Sequence, residues 1–445
     1  MNIFSRAALP VAILLYVLSG AISPAFATSP KVTLVVADLV SPIDVATVPD
    51  NTGRRLILDQ SGVVHILLPD DTLAELPFLD IRDRLLPLRE DFEERGLLGM
   101  AIHPDYRNNG RFFVTYSAPL AADAPANWNH TRVVSEFTVH PQETERLDPD
   151  SERVLIRQHW PSRKHNGGAL AFGPDGYLYI GFGDGGGIHG VGAETLNDAF
   201  SVPKNRLHWD STAQDLQSLY GKLLRIDVNA GLPGYAIPSD NPLLGTLGKD
   251  EIYAWGFRNP YRISFDPNDS GALYITAVAE TLWEAIYRVD KPGNYGWPLK
   301  EGTHCFDRTR PLNPPIECSA TTSSTELFDP VVEYANMSVH RKGSAVKLAG
   351  VGTAVVGAVM HRDGDPAALK NHLLFADWSL DFRSPSGQLF SAGENTSTLW
   401  DYQQIAKFDS RIIGLVQDTD NRKYVLTNDN FGPYGNTGKV LLLEF

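Results

Sequence analysis

The chain has 445 residues, with 38 glycines, 30 prolines and 10% aromatic residues. This composition favours a turn-rich β protein over a helical bundle, and the length suffices for a large buried core. The formal net charge of −14 argues against nucleic acid or an anionic membrane as a partner, and it is compatible with binding of a divalent cation.

The first 27 residues have the pattern of a secretory signal peptide. Arg6 supplies a positive charge, Ala7–Gly20 form an apolar run, and Ala25-Phe26-Ala27 is a small-residue cleavage signal. No later segment approaches the ~18 uncharged apolar residues that a spanning helix needs. We therefore expect cleavage after Ala27, export to the periplasm or the medium, no membrane span, and one folded domain over residues 28–445.

One pattern recurs along the mature chain: an acid or asparagine, a turn residue, and then a run of β-forming residues. Six copies occupy residues 51–62, 103–117, 173–186, 266–278, 368–379 and 418–430. Six unevenly spaced copies predict an all-β fold, a six-bladed β-propeller, with a two-domain β-sandwich as the alternative. The last strand, near Lys439–Phe445, is expected to pair with the first strand near Lys31 and so close the ring.

Three long segments with little strand character interrupt the copies: Val191–Gln217, Gly231–Gly248 and Pro298–Glu326. Loops of this length inside a compact domain usually carry function, and we expect them on one face of the propeller. The two cysteines, Cys305 and Cys318, lie in the third segment. In an oxidising compartment they are expected to pair; a metal site is the weaker alternative, because they lack close C-x-x-C spacing.

The stretch Arg163–Gly187 joins a histidine, a Gly/Asn-rich turn and a strand. Its GFGDGG segment formally matches the dinucleotide fingerprint G-x-G-x-x-G, but no helix-forming sequence follows, and Asp184 would repel a pyrophosphate. His165 precedes the turn, where a neutral imidazole could accept a proton near physiological pH. The alternative is a structural histidine that hydrogen-bonds a neighbouring turn.

Two further segments carry candidate ligands. Arg258 and Asn259 stand before a proline at the start of a strand, where they could present a guanidinium and an amide to an oxygen-rich ligand or simply bridge two blades. Glu280, Glu284 and Tyr295 lie in a turn-rich segment, and carboxylates with exposed carbonyls are what Ca²⁺ requires. The alternative for the two glutamates is a solvated face of a short helix.

Several motifs together resemble the glucose/sorbosone dehydrogenase family, the soluble aldose sugar dehydrogenases that use pyrroloquinoline quinone (PQQ). They follow the family's order from about Val32 to the C-terminus: ERGLLGMAIHPDY (94–106), KHNGGALAFGPDGYLYIGFGDGG (164–186), LYGKLLRIDV (219–228), EIYAWGFRNPYRISFDP (251–267), GNYGWPLKEGTHCFD (293–307) and LTNDNFGPYGNTGKV (426–440). The resemblance implies a six-bladed propeller with PQQ and Ca²⁺ on its top face, which oxidises an aldose at C1 to the lactone and passes electrons to an unidentified acceptor.

The resemblance also implies roles for individual residues. His165 matches the family's general base, and Arg258 with Asn259 matches the pair that contacts the quinone oxygens. Glu94 matches a position just before the family's GLLG, and Arg362 falls where a basic residue usually faces the PQQ carboxylates.

The chain departs from the family's pattern at two places. Residues 277–286 correspond to a calcium loop in which an aspartate and a glycine are missing and a glutamine has become Glu280; the carbonyl of Ala279, with Glu280, Glu284 and Tyr295, is the metal set that this loop implies. The family's glycine-arginine pair is absent after Trp378, where Arg383 in an inserted segment could replace the arginine. Two other functions therefore stay open: a propeller without cofactor that binds carbohydrate or protein, and a calcium-dependent propeller lactonase.

Overall fold

The computed structural model describes residues 29–139, 145–186, 209–268, 271–318, 326–362 and 366–445. Most of the regular structure in these ranges is β-strand, and the helical pieces are single turns: α1 (Tyr106–Asn109) and the 3₁₀ turns Pro149–Ser151, Trp209–Gln214, Met337–His340 and Ala367–Leu369. Within the same ranges, no helix has the length and apolar character needed to cross a bilayer. The expected signal peptide, residues 1–27, and most of the Val191–Gln217 segment fall outside the described residues.

The first strand is β1 (Lys31–Leu39), and the strands after it form four-stranded sheets in chain order. The first sheet contains β2 (Pro42–Thr47), β3 (Arg55–Asp59), β4 (Val63–Leu67) and β5 (Leu79–Asp80). The second contains β6 (Leu97–Ile102), β7 (Arg111–Ala118), β8 (His130–Thr138) and β9 (Arg153–Trp160). The third contains β10 (Gly167–Phe172), β11 (Leu178–Phe182), β12 (Lys222–Ile226) and β13 (Ile252–Trp255).

The fourth sheet contains β14 (Pro260–Phe265), β15 (Leu273–Ala277) and β16 (Trp283–Val289). Next, β17 (Gly293–Asn294) joins the third sheet, β18 (Lys300–Glu301) and β19 (His304–Cys305) form a small hairpin, and β20 (Val332–Ala335) completes the fourth sheet. The fifth contains β21 (Val355–His361), β22 (His372–Asp377), β23 (Gln388–Gly393) and β24 (Tyr402–Lys407). The sixth contains β25 (Arg411–Gln417), β26 (Lys423–Asn428) and β27 (Gly438–Glu444), with β1 as its fourth strand.

The six sheets are the blades of a six-bladed β-propeller, as the repeats predicted. Each sequence copy contains the second strand of one blade, namely β3, β7, β11, β15, β22 or β26, and begins at the turn before that strand. The ring closes as expected: β1 pairs antiparallel with β27, with Lys31 opposite Glu444. This pairing joins the two ends of the domain in one blade, so the hydrogen-bonding edge of β27 is covered.

The innermost strands of the blades (β2, β6, β10, β14, β21 and β25) contact one another around a central channel. The Arg262 side chain crosses this channel from β14 and donates to the carbonyls of Leu98 at 3.3 Å and Ile43 at 2.7 Å. All three residues stand near the beginnings of their strands, so the inner strands run in the same direction. The face where they begin is called the upper face below, and the face where they end is the lower face.

Aliphatic and aromatic side chains fill the spaces between blades. Between the first and second blades, for example, Leu58, Phe78, Phe112 and Phe137 are fully buried in one cluster. Burial of such a side chain contributes about 1.5–3 kcal/mol. This packing makes the propeller a rigid support for the loops on its faces.

Two expectations about the loops have different outcomes. Cys305 and Cys318 form the expected disulfide, with their Cα atoms 5.0 Å apart. The placement of Gly231–Gly248 on the same face as the other long loops is wrong, because it follows β12, which runs down to the lower face. There the carbonyls of Pro233 and Gly234 accept hydrogen bonds from Arg153 at the start of β9.

Candidate functional site

His165 stands immediately before β10, and its backbone conformation depends on the glycines that follow it. The residue has a φ of +52°, and Gly167 and Gly168 have φ values of +62° and +118°. A Cβ atom on Gly168 would lie 2.6 Å from Cβ of Leu98, and one on Gly167 would lie 2.6 Å from the Gly181 carbonyl oxygen. Only glycines let the chain turn this tightly between neighbouring strands, so the HNGG motif brings the histidine onto the upper face.

The imidazole of His165 lies between a carboxylate and a guanidinium. Its Nδ1 atom is 2.7 Å from Oδ1 of Asp184, and its Nε2 atom is 2.6 Å from a terminal guanidinium nitrogen of Arg258. Because a carboxylate can only accept, Nδ1 carries the proton and the lone pair of Nε2 faces the arginine. This is the tautomer that a general base working through Nε2 requires.

Asp184 is fixed by several donors besides the histidine. Its side chain accepts hydrogen bonds from the backbone of Gly186 and the indole of Trp297, both at 2.9 Å. Burial alone would raise the pKa of Asp184, but His165, Arg258 and the backbone N–H of Gly186 hold the pKa below its usual value. The carboxylate is therefore a permanent anion at neutral pH, and it orients the ring of His165.

Arg258 precedes β14 and connects the histidine to the segment after β15. It donates to Oε2 of Glu280 at 2.7 Å and to the carbonyl of Val278 at 2.9 Å. Burial opposes the charge of Arg258, but Glu280 and Asp184 outweigh it and raise the pKa of the guanidinium. Oε1 of Glu280 is buried without a hydrogen-bond partner, an arrangement that costs free energy unless a cation or donor binds there.

Asn259 and Glu94 hold the backbone around the histidine. Oδ1 of Asn259 accepts the backbone N–H of Gly167 at 2.8 Å, and Oε2 of Glu94 accepts the N–H of His165 at 2.5 Å. The structure therefore brings together His165, Arg258, Asn259, Glu94 and Glu280 on the upper face. In this structure the polar atoms of Asn259 and Glu94 support the loop.

The segment from Ala277 to Leu282 is held by two buried carboxylates. Glu284 accepts the N–H of Ala279 at 3.2 Å, and Glu301 accepts three consecutive N–H groups, of Glu280, Thr281 and Leu282, at 2.6–2.9 Å. Burial raises the pKa of each of these two glutamates to about 7. A cavity of about 20 Å³, enough for one water, lies beside this segment and is lined by Arg258, Ala279, Glu280 and Glu301 among others.

The structure does not bring all of the expected calcium ligands together. Both oxygens of Glu284 already accept hydrogen bonds, from Asn336 and from the backbones of Ala279 and Val355. The Tyr295 hydroxyl donates to the carbonyl of Lys291, and its ring stacks on Phe257 at 4.9 Å in the core. Across the described ranges, no three His, Cys, Asp or Glu side chains are grouped to hold a metal.

The two arginines expected at the PQQ carboxylates lie elsewhere. Arg362 follows the last residue of β21 and is therefore on the lower face, where it pairs with Asp266 and Glu394 and donates to Asn371. The expectation that Arg362 faces the PQQ carboxylates beside His165 is therefore wrong, because the length of an inner strand separates the two faces. Arg383 is exposed on the inserted upper-face segment, where its backbone N–H donates to Asp381 at 2.7 Å.

Two further polar residues of the upper face, Asp184 and Arg411, were not predicted as functional from the sequence. Asp184 was considered only as a charge that disfavours pyrophosphate, although an acid shortly after a candidate base is a signal for an orienting partner. Arg411 is the first residue of β25 on the upper face; it is buried, its guanidinium lies 4.2 Å from the ring centre of Phe431, and its Nε atom has no partner. No motif marks Arg411, and only its place in the propeller identifies it.

The residues fit the two groups that the resemblance implies. The unpartnered oxygen of Glu280 and the carbonyls beside it are hard oxygen ligands of the kind that Ca²⁺ takes. Arg258 and Arg411 are buried cations at the upper face, suited to quinone and carboxylate oxygens.

Comparisons with known proteins identify the family and support the fold. A family model described as Glucose / Sorbosone dehydrogenase matches residues 39–434. The Hedgehog-interacting protein of Mus musculus is 32% identical over 235 residues, which are 52% of this chain and 31% of that protein. Quinoprotein glucose dehydrogenase B of Acinetobacter calcoaceticus is 30% identical over 211 residues, which are 47% of this chain and 41% of that protein.

Among solved structures, the PQQ-bound form of aldose sugar dehydrogenase from Streptomyces coelicolor superposes with a TM-score of 0.62. The two are 18% identical, and the match covers 93% of this chain and 98% of the other. At this identity the likeness shows the fold. The chain spans less than half of the length of the two relatives named above.

Proposed function

The chain belongs to the glucose/sorbosone dehydrogenase family, and from that membership we propose that it is an exported quinoprotein sugar dehydrogenase. In this proposal it oxidises the C1 hydroxyl of an aldose to the lactone, with PQQ and Ca²⁺ bound on the upper face. The observation that carries the proposal is the arrangement of Asp184, His165 and Arg258 in one buried hydrogen-bonded series.

His165 is the general base of this reaction. Asp184 keeps the proton on Nδ1, so Nε2 is the ring nitrogen whose lone pair takes the proton of the C1 hydroxyl. As the ring becomes positive, the Asp184 carboxylate stabilises it at 2.7 Å without having to move. Since Arg258 donates to Nε2 in this structure, the substrate hydroxyl has to replace that contact.

Arg258 and Glu280 determine the electrostatic environment of the place where the sugar would be oxidised. The guanidinium that leaves Nε2 remains beside the reacting carbon and stabilises negative charge that develops on a nearby oxygen. Arg411 and Arg258 would hold the anionic oxygens of PQQ, and Glu280 would hold Ca²⁺ through its unpartnered oxygen. When bound, the quinone supplies the two-electron acceptor for the C1 hydride.

A second candidate function is a propeller that binds a ligand without oxidising it. Glu280 pairs with Arg258 through Oε2 at 2.6–2.7 Å, which reduces the positive charge available to an anionic cofactor. The chain is 32% identical over 235 residues to a Hedgehog-interacting protein, which supports a protein-binding version of this candidate. No observation on the described residues favours the lactonase.

The test is reconstitution of the purified mature chain. Protein is titrated with PQQ in excess Ca²⁺ while the quinone absorbance is followed, and dye reduction is then measured with a panel of aldoses. The proposal expects saturable quinone binding and turnover with at least one aldose. Quinone binding without turnover, or no quinone binding, would overturn the dehydrogenase assignment; in the second case the binding module becomes the leading function.

A further inference from the structure

Half-exposed aromatic rings gather at one place on the upper face. Four aromatic residues of the described chain are exposed by more than a third: Phe92 (37%), Phe382 (51%), Phe431 (37%) and Tyr434 (38%). Phe92, Phe382 and Phe431 surround the largely buried Trp378, and these four residues are called the ring cluster below. Single exposed apolar residues are usually scattered over a protein surface. A cluster of them at one place indicates a binding site.

The ring cluster is built by loops from three different blades. Phe92 lies between β5 and β6, Trp378 and Phe382 lie between β22 and β23, and Phe431 lies between β26 and β27. The ring centres of Phe92, Phe382 and Phe431 are 6.3, 5.4 and 5.6 Å from that of Trp378. Because three separate loops each place a ring against the same tryptophan, the position of the surface does not depend on one loop alone.

This surface is continuous with the site around His165. Phe92 stands two residues before Glu94, whose carboxylate accepts the backbone N–H of His165. Arg163, two residues before the histidine, lies 3.6 Å from the carboxylate of Asp91, which adjoins Phe92. The same short loop therefore touches the candidate base at one end and carries a ring of the cluster at the other.

Polar groups of both signs border the rings. Arg411 lies under Phe431 and Trp378, at 4.2 and 5.1 Å from their centres. Asp91 and Arg89 form an ion pair beside Phe92, and Asp381 and Arg383 flank Phe382. Flat apolar faces with donors and acceptors at their edges suit pyranose rings, which present C–H groups on their faces and hydroxyls around their rims.

We propose that the ring cluster is an extended carbohydrate subsite that holds the pyranose units following the reducing-end sugar at His165. The inference rests on the proposed function and deepens it, because it makes the preferred substrate an oligosaccharide. Both signs of charge at the border favour a neutral, hydroxyl-rich ligand over a strongly charged one. The continuity with the His165 loop favours a ligand that reaches the reaction centre over a separate protein partner.

Binding is tested first, without cofactor. The probes are cellopentaose, xylopentaose and maltopentaose whose reducing ends have been reduced to alditols, so that no oxidation can occur, and titration is followed by tryptophan fluorescence and calorimetry. We expect at least one pentasaccharide to bind more tightly than glucose. Phe382→Ala and Phe431→Ala should each raise its Kd about three- to tenfold, the range for loss of one ring contact.

The control variant is Leu247→Ala, which removes a 90% exposed side chain on the lower face and should leave the Kd unchanged. Thermal unfolding of each variant shows whether the fold is intact; Phe382 lies on an exposed inserted segment, so its truncation should be tolerated. Equal Kd values for the pentasaccharides and glucose, or no change in Phe382→Ala and Phe431→Ala, would overturn the subsite. A dimer that dissociates on Phe382→Ala in sedimentation would also overturn it, in favour of a protein interface.

Activity separates this proposal from the proposed function. With PQQ and Ca²⁺ added, unreduced pentasaccharides should have a higher kcat/KM than glucose, and Phe382→Ala, on the exposed inserted segment, should lose that advantage while it oxidises glucose normally. Ring-dependent binding of pentasaccharide without any dye reduction would retain the subsite and reject the dehydrogenase. Glucose oxidation without a dependence on chain length would do the reverse.

Discussion

The guanidinium of Arg258 lies 2.6 Å from Nε2 of His165 and also contacts the carboxylate of Glu280. The residue that should stabilise charge in the reaction therefore occupies, in this structure, the lone pair that should accept the proton. Under the proposed function, binding of substrate has to break this contact, whereas the ion pair between Arg258 and Glu280 need not break.

Replacement of His165 by alanine tests the base. Without an acceptor for the C1 hydroxyl proton, His165→Ala should lower dye-linked turnover about 10²–10⁴-fold. Quinone absorbance should still saturate, because Arg258 and Arg411 remain. His65→Ala, on β4 away from the site, is the matched control. Turnover that is nearly unchanged in His165→Ala would assign the base to another residue.

Replacement of Asp184 by asparagine tests the orientation of the imidazole. The amide can present its NH₂ group to Nδ1, which would stabilise the wrong tautomer, and it can no longer balance the positive ring. We expect Asp184→Asn to lower kcat at least about tenfold with a much smaller change in KM. Asp420→Asn, at an exposed turn on the lower face, is the control. A change confined to KM would contradict an orienting role.

Replacement of Glu280 by glutamine distinguishes the effect of this residue on quinone binding from its effect on Ca²⁺ binding. The glutamine keeps the shape of the side chain but removes the charge that pairs with Arg258. At saturating Ca²⁺, Glu280→Gln should therefore bind the anionic quinone about tenfold (about 1.4 kcal/mol) more tightly, because the negative charge of Glu280 no longer offsets Arg258 or repels the quinone. It should also need more Ca²⁺ to reach half-maximal quinone binding, since a carboxylate ligand is lost.

Quinone absorbance measures both effects of Glu280→Gln in two titrations. Glu394→Gln removes a comparable partner of Arg362 on the lower face and should change neither curve. Weaker quinone binding by Glu280→Gln at every calcium concentration would show that Glu280 does not oppose the cofactor.

The raised pKa of Glu301 predicts how the free energy of unfolding depends on pH. Its pKa is raised from 4.5 to about 7 by burial, so between these values the folded protein retains a proton that the unfolded chain has released. The contribution of Glu301 to the free energy of unfolding therefore falls as pH rises from about 4.5 to about 7 and is constant above that. The full difference is roughly 3 kcal/mol.

Denaturant unfolding at several pH values compares the wild type with Glu301→Gln. The variant should show a shallower fall across this window, whatever its absolute stability, because Glu284 and the other titrating groups are common to both proteins. Glu326→Gln, at an exposed position, should keep the slope of the wild type. Parallel curves for the wild type and Glu301→Gln would show that Glu301 is ionised throughout.

The blade repeat was predictable because it is local. A turn residue followed by β-branched and aromatic residues specifies a hairpin within about 15 residues, and six such copies appear at the second strands of the six blades. The HNGG turn was visible for the same reason, since only glycine tolerates the positive φ at positions 167 and 168. The disulfide followed from two cysteines 13 residues apart.

The face of the propeller on which a residue lies was harder to predict from the sequence. Arg362 and the Gly231–Gly248 loop were expected on the upper face, and both lie on the lower one. Each strand reverses the direction of the chain, so the face of a loop depends on how many strands precede it within its blade. The sequence pattern identifies only one strand of each blade. It does not give the number of other strands, on which the face of a loop depends.

Sequence alone therefore determined the propeller, the family resemblance and the candidate base, since each depends on short segments whose residue order is informative. Tertiary structure alone decided that Arg258, 93 positions from His165, contacts its Nε2 atom and that Glu284 is occupied by backbone donors. It also decided that three exposed rings converge on Trp378, which packs on Arg411. These contacts join segments from different blades. Their geometry is set by ring closure and the packing of blades against one another, which no local pattern in the chain encodes.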